Sequence, residues 1–143
     1  MPRISNTLQV LNVGGNVALD LPNDVSHQNL IEYTNRTMHW GLLLLPLAQN
    51  ENILNYPSLT LLNIPYSIIS DEEFREIGML LKNLTKLDIT ACFYININGF
   101  KQFGLFDKLE ELSIVYLFVR KNDILKLKNL KNLSVTREKF FQI

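Results

Sequence analysis

One cysteine, two histidines, one tryptophan and no excess of either charge limit what this 143-residue chain can do. A lone cysteine, Cys92, excludes an internal disulfide. His27 and His39 are the only histidines, and neither stands at a metal-ligand spacing from Cys92, so no metal or other cofactor is expected. With 14 Lys+Arg against 14 Asp+Glu, the chain lacks the concentrated basic surplus that neutralises phosphates, which argues against nucleic acid as a partner. Long apolar runs are scarce as well. The run from Trp40 to Ala48 is far short of the ~20 residues needed to cross a bilayer, so no membrane partner is expected. No apolar leader precedes a small-residue cleavage site, and together with the cysteine usage this points to an intracellular protein. The triplets at Asn35, Asn83 and Asn132 match the glycosylation acceptor pattern but read as chance matches in an asparagine-rich chain.

Groups that could act together in catalysis are also missing. Asp71, Glu72 and Glu73 come nearest to an acid cluster, yet Ser70 before them makes helix capping the simpler reading. The glycine-rich stretch Asn12-Val13-Gly14-Gly15-Asn16 lacks the Lys-Ser/Thr of a phosphate loop and the third spaced glycine of a dinucleotide site. The chain reads as a non-enzyme.

What is present is a phrase, and it recurs. Leu59-x-x-Leu62-x-Ile64, Leu84-x-x-Leu87-x-Ile89, Leu109-x-x-Leu112-x-Ile114 and Leu130-x-x-Leu133-x-Val135 share it, and Leu8-x-x-Leu11-x-Val13 opens the chain with it. The starts at Leu59, Leu84 and Leu109 lie 25 apart (84−59, 109−84), and Leu130 follows after 21 (130−109). A period of that length predicts stacked small units rather than one closed globule. A further match at Leu42 is set aside, because Pro46 would fall within its strand and cannot donate to a ladder. The interval from Leu8 to Leu59 is about two periods, and a degenerate copy at Leu30 with Tyr33 and Asn35 fills it. That makes six units in one domain over residues 1–143, regular over 58–137 and degenerate over 1–57. Trp40 to Ala48 is then the buried outer segment of the second unit, and Asn50, Asn52 and Asn55 mark a loop.

Within a unit, the alternating Leu-x-Ile predicts a short strand with one buried face. The remainder returns as a helix or turn, with Ser70 as its cap, Glu73 reaching back, and Phe74 and Ile77 facing the core. Gly78 in that helix requires tight packing or an early helix end, since glycine weakens a helix interior by roughly 1 kcal/mol.

These motifs resemble the leucine-rich repeat, and more narrowly its cysteine-containing variety. Cys92 and Asn16 hold that variety's Cys/Asn position, three past the last aliphatic of the phrase. Ile69-Ser70-Asp71-x-x-Phe74-x-x-Ile77 matches its helix signature, and Ile97-Asn98-Gly99-Phe100-x-x-Phe103 matches it more loosely. Ser67, Leu117 and Glu138 depart from it at the Cys/Asn position. The resemblance implies an α/β fold: a curved solenoid with a parallel concave sheet inside and helices or turns on the convex side. It also implies that Cys92 is a buried thiol bonded to neighbouring loop backbone. F-box and Zyg-type adaptors of cullin ubiquitin ligases carry such repeats, so the implied function is non-catalytic protein binding, extending to substrate recognition for such a ligase. No adaptor box accompanies the repeats: Leu21-Pro22 is similar to the opening of an F-box, but its helices do not follow. The competing reading is a structural or regulatory array, or a fragment such as a viral mimic, with no dedicated ligand.

Recognition should fall on the strand residues flanking the buried pair. That register selects Glu32, Thr34 and Arg36; Asn63 and Tyr66; Lys86, Asp88 and Thr90; Glu111, Ser113 and Tyr116; and Asn132, Ser134 and Thr136. Six strands ~4.8 Å apart would span roughly 24 Å, enough to seat a partner protein or extended peptide. The basic charges near the C-terminus, Lys126, Lys128 and Lys131, form either a solvated outer face or a site for an acidic partner. Apolar ends, with Phe140 and Phe141 after the last phrase, allow end-to-end self-association.

Overall fold

The computed structural model describes residues 9–13, 32–35 and 58–136. The degenerate copy's Leu30, Arg36, the outer segment at Trp40 to Ala48, the asparagine loop, both histidines, Asn16, Glu138 and the terminal phenylalanines lie outside the described residues.

The fold is α/β. Among the described residues, six short strands form one parallel sheet in sequence order: β1 Val10–Val13, β2 Glu32–Asn35, β3 Leu61–Asn63, β4 Lys86–Asp88, β5 Glu111–Ser113 and β6 Asn132–Ser134. Their register follows the leucine phrase. Leu11 pairs with Tyr33, Tyr33 with Leu62, Leu62 with Leu87, Leu87 with Leu112 and Leu112 with Leu133. The strand at Glu32–Asn35 therefore stands where the degenerate copy requires one.

Among the described residues, three helices follow the later strands: α1 Asp71–Leu80 after β3, α2 Ile97–Phe100 after β4, and α3 Lys121–Ile124 after β5. A 3-10 turn, Lys101–Leu105, continues α2. The core lies between these helices and one face of the sheet. Leu62, Ile64, Leu87, Ile89, Leu112 and Ile114 enter it from the strands, and Phe74, Ile77, Phe100 and Phe103 from the helical side. Near the sheet's last strand the packing thins, and Leu130, Leu133 and Val135 are only partly buried.

α1 begins where its capping residues dictate. Ser70 Oγ accepts from the Glu73 N–H at 3.1 Å, and Glu73 Oε1 accepts from the Ser70 N–H at 3.4 Å. Gly78 is explained by packing: a Cβ there would stand 2.9 Å from the Phe106 ring and 3.0 Å from Leu105 Cβ. α2 requires a correction. The sequence pattern aligns Ile97-Asn98 with Ile69-Ser70, whereas the structure aligns Ile95-Asn96 with them. Ile95 is the buried aliphatic, and Asn96 is the cap, its Oδ1 accepting from the Asn98 N–H at 3.1 Å. An asparagine accepts this bond as readily as serine does, so the helix starts at Ile97 and leaves that side chain half-buried.

The chain leaves β3, β4 and β5 through the same turn. Tyr66, Ala91 and Tyr116 all take positive φ, at 61°, 55° and 67°. For a residue with a Cβ this conformation costs about 1–2 kcal/mol. Each N–H at these positions finds an acceptor across the sheet: Thr90 O at 2.8 Å, Val115 O at 2.9 Å and Thr136 Oγ1 at 2.7 Å. Those bonds hold the strained turn in place.

Candidate functional site

The sheet face opposite the core carries a shallow groove of about 310 Å³. Asn63, Lys86, Asp88, Glu111, Ser113, Asn132 and Ser134 line it together, as their register positions require. Strand alternation is the cause: the middle residue of β3, β4 and β5 points into the core, and its two neighbours point away from it.

These side chains are largely engaged with one another. Lys86 Nζ stands 3.2 Å from Glu111 Oε2, and Asn132 Nδ2 donates to Glu111 Oε1 at 3.1 Å. The Thr90 and Ser113 hydroxyls are 2.8 Å apart, and Asp88 Oδ1 accepts from the Thr90 N–H at 2.9 Å. The Lys86–Glu111 pair is about half exposed on each side, so it adds little to stability and can exchange partners at low cost. The arrangement offers donors and acceptors along an extended line, which suits hydrogen bonding to a polypeptide.

Glu32 and Thr34 lie on β2 in register with Leu61 and Asn63, and both are partly buried. Arg36 lies outside the described residues. Tyr66 and Tyr116 need a correction. Each sits in the positive-φ turn past its strand, at the position Ala91 holds in the intervening copy, and not on the groove. Counting by twos past the strand end assumes that the pleat continues, and the left-handed turn breaks it. Leu61 was the omission on this face: it lines the groove but is apolar, so a search for polar residues passes over it. Its pairing with Glu32 and Lys86 was the available signal.

Behind the sheet, Cys92 is fully buried and donates from Sγ to Ile64 O at 3.2 Å. Burial pushes the thiol pKa up to about 12, Asp88 adds to the rise, and backbone groups of Ser67 and Tyr66 only partly oppose it. Such a thiol is a poor nucleophile at neutral pH. A thiol-specific reagent at pH 8 should leave the folded chain unlabelled and label it fully in denaturant. The folded state also keeps this proton where the unfolded chain, near its ordinary value of 9.0, has released it. Its contribution to stability is therefore complete below that value and declines as pH rises towards 12, a decline that should be smaller in Cys92→Ser.

Ser67 and Leu117 hold the equivalent position in neighbouring copies, and both are buried. Ser67 Oγ has no hydrogen-bond partner. Ser67→Ala should therefore hold or raise the free energy of unfolding in urea, by up to about 1 kcal/mol, because it removes a desolvated hydroxyl.

The C-terminal lysines are solvated. Lys131 pairs with Glu110 at 2.6 Å, which raises the lysine pKa, and Lys126 pairs with Asp123 at 3.2 Å. Among the described residues, no cluster of three or more His, Cys, Asp or Glu could hold a metal ion, and no helix is long and apolar enough to cross a membrane. No protein-family model matches the chain, and no curated protein is significantly similar to it.

Proposed function

We propose that the chain is a leucine-rich-repeat solenoid of the cysteine-containing variety, with about six units, and that it binds a partner protein without catalysis. The observation that carries this reading is the groove. Seven polar side chains from four adjacent strands face outward in two neighbouring rows, on the sheet face opposite the core. The periodic register supports the repeat, and Cys92 bonded to the preceding strand's Ile64 carbonyl supports its cysteine-containing variety. The partner is an extended segment or a convex protein surface that trades hydrogen bonds with the Lys86–Glu111–Asn132 row. Substrate recognition for a cullin-type ubiquitin ligase is the specific form of this function.

The test is affinity purification of the tagged chain beside a double variant, Lys86→Glu with Ser113→Arg, which reverses charge and adds bulk in the groove. A partner retained by the parent and lost by the variant is the expected result, and a cullin among the retained proteins would establish the ligase form. Identical retention by both chains would refute recognition through this face.

A further inference from the structure

The turns that leave the sheet carry a second surface. Ile68, Phe93 and Phe118 recur 25 residues apart (93−68, 118−93). All three are exposed, Phe93 to 66% and Phe118 to 79%. Single exposed apolar residues are ordinary, but here two of them flank an opening. A cleft of about 530 Å³ lies between the turn after β4 and the turn after β5. Phe93, Ile97 and Phe100 line it from the earlier segment, and Tyr116, Phe118 and Arg120 from the later one.

The preceding junction shows why this one is open. There Asp71, the first residue of α1, accepts from the Asn96 N–H at 2.8 Å and ties one segment to the next. Ser70, Asn96 and Arg120 are the N-cap positions of α1, α2 and α3. Ile97 therefore stands in α2 where Asp71 stands in α1, and an isoleucine cannot accept the next cap's amide. The clasp is absent at the second junction, and the aromatic side chains border a gap instead.

Charge at the rim of the cleft is positive, and the one carboxylate in its lining, that of Asp123, is buried. Its Oδ1 lies 3.2 Å from Lys126 Nζ, while its Oδ2 is buried without a hydrogen-bond partner. Arg120 and the adjacent Lys121 are exposed, and among the described residues neither forms an ion pair. The opening thus combines apolar walls with a positively charged rim.

We propose that this cleft docks a partner-protein segment in which a large apolar side chain, aromatic or leucine, stands beside an acidic residue. The apolar side chain enters between Phe93 and Phe118, and the acid pairs with Arg120. This site is separate from the groove on the sheet, and it stands or falls independently of that reading.

Phage-displayed short random peptides, selected on the full chain, should converge on Asp or Glu next to Phe, Tyr, Trp or Leu. A fluorescein-labelled peptide of the selected sequence should then lose affinity by about tenfold or more on Phe118→Ser and on Arg120→Glu. Arg120→Lys and the groove variant Ser113→Arg should leave its Kd within about twofold. Phe118 and Arg120 are exposed, so both variants should melt like the parent. Ile97→Asp, which supplies α2 with the carboxylate that α1 uses as a clasp, should close the cleft and weaken binding to the same extent. Selection of no binder, a consensus without the acidic and apolar pair, or binding indifferent to Phe118→Ser would each overturn the proposal. So would sedimentation showing a dimer lost in Phe118→Ser without peptide binding, or capture by phosphatidylserine vesicles in place of peptide.

Discussion

Urea unfolding of Phe74→Ala should show a loss of about 3–5 kcal/mol relative to the parent, the largest effect of any single truncation proposed for this chain. Phe74 is fully buried at the centre of an aromatic cluster that joins consecutive segments. Its ring lies 5.7 Å from that of Phe103 at an interplanar angle of 80°, and 5.1 Å from that of Phe106 at 32°. Phe103 in turn meets Phe100 at 5.7 Å. Removing the central ring forfeits its transfer free energy and leaves a void that α1 cannot fill, because Gly78 already holds α1 hard against Phe106 and Leu105. A domain of this size has only about 5–15 kcal/mol to lose. Phe74→Leu, which keeps much of the volume, should cost clearly less. A loss below about 1 kcal/mol for the alanine variant would mean that the cluster does not bear the core.

Gly99→Ala should cost about 2–4 kcal/mol, a large penalty for one methyl group. A Cβ at Gly99 would collide with Asp71 Oδ1 and come within 2.6 Å of Ile95 Cγ2. Relief requires Asp71 to move, which breaks its bond with the Asn96 N–H. Asp71→Ala alone loses that charge-assisted bond, at about 1–3 kcal/mol. In the double variant the carboxylate is no longer there to be displaced, so the combined loss should fall short of the sum by about 0.5–3 kcal/mol. Strict additivity in thermal or urea unfolding would show that glycine is required at this position for some reason other than the clasp.

Much of this architecture was legible in the leucine phrase. Leu62, Leu87 and Leu112 are buried in register, as are Ile64, Ile89 and Ile114, because a two-residue alternation leaves a strand only one way to hide its apolar side. The α1 capping box was equally plain, since Ser70 and Glu73 satisfy each other within four residues. Burial of Cys92 came from resemblance, and the structure supplies the Ile64 carbonyl that gives the thiol its partner. The groove residues on β3 to β6 were found by counting from the buried leucines. The count failed past the strand ends, at Tyr66 and Tyr116, where a change in the sign of φ turns the chain out of the pleat.

By itself, then, the sequence determined the elements whose cause is local: strand alternation, period and caps. The tertiary structure alone decided what depends on two segments meeting. Asp71 reads as one of three helix-starting acids until the Asn96 amide is placed 2.8 Å from it, 25 residues further on. Gly99 reads only as part of a loosely matched helix signature until that same carboxylate occupies the space a side chain would need. Ile97 reads as the first residue of that signature until it is seen to stand where a clasp would close, with a cleft beside it. Spacing along a chain reports periodicity, whereas contact between copies depends on the side chains both present, and no single stretch of sequence contains both.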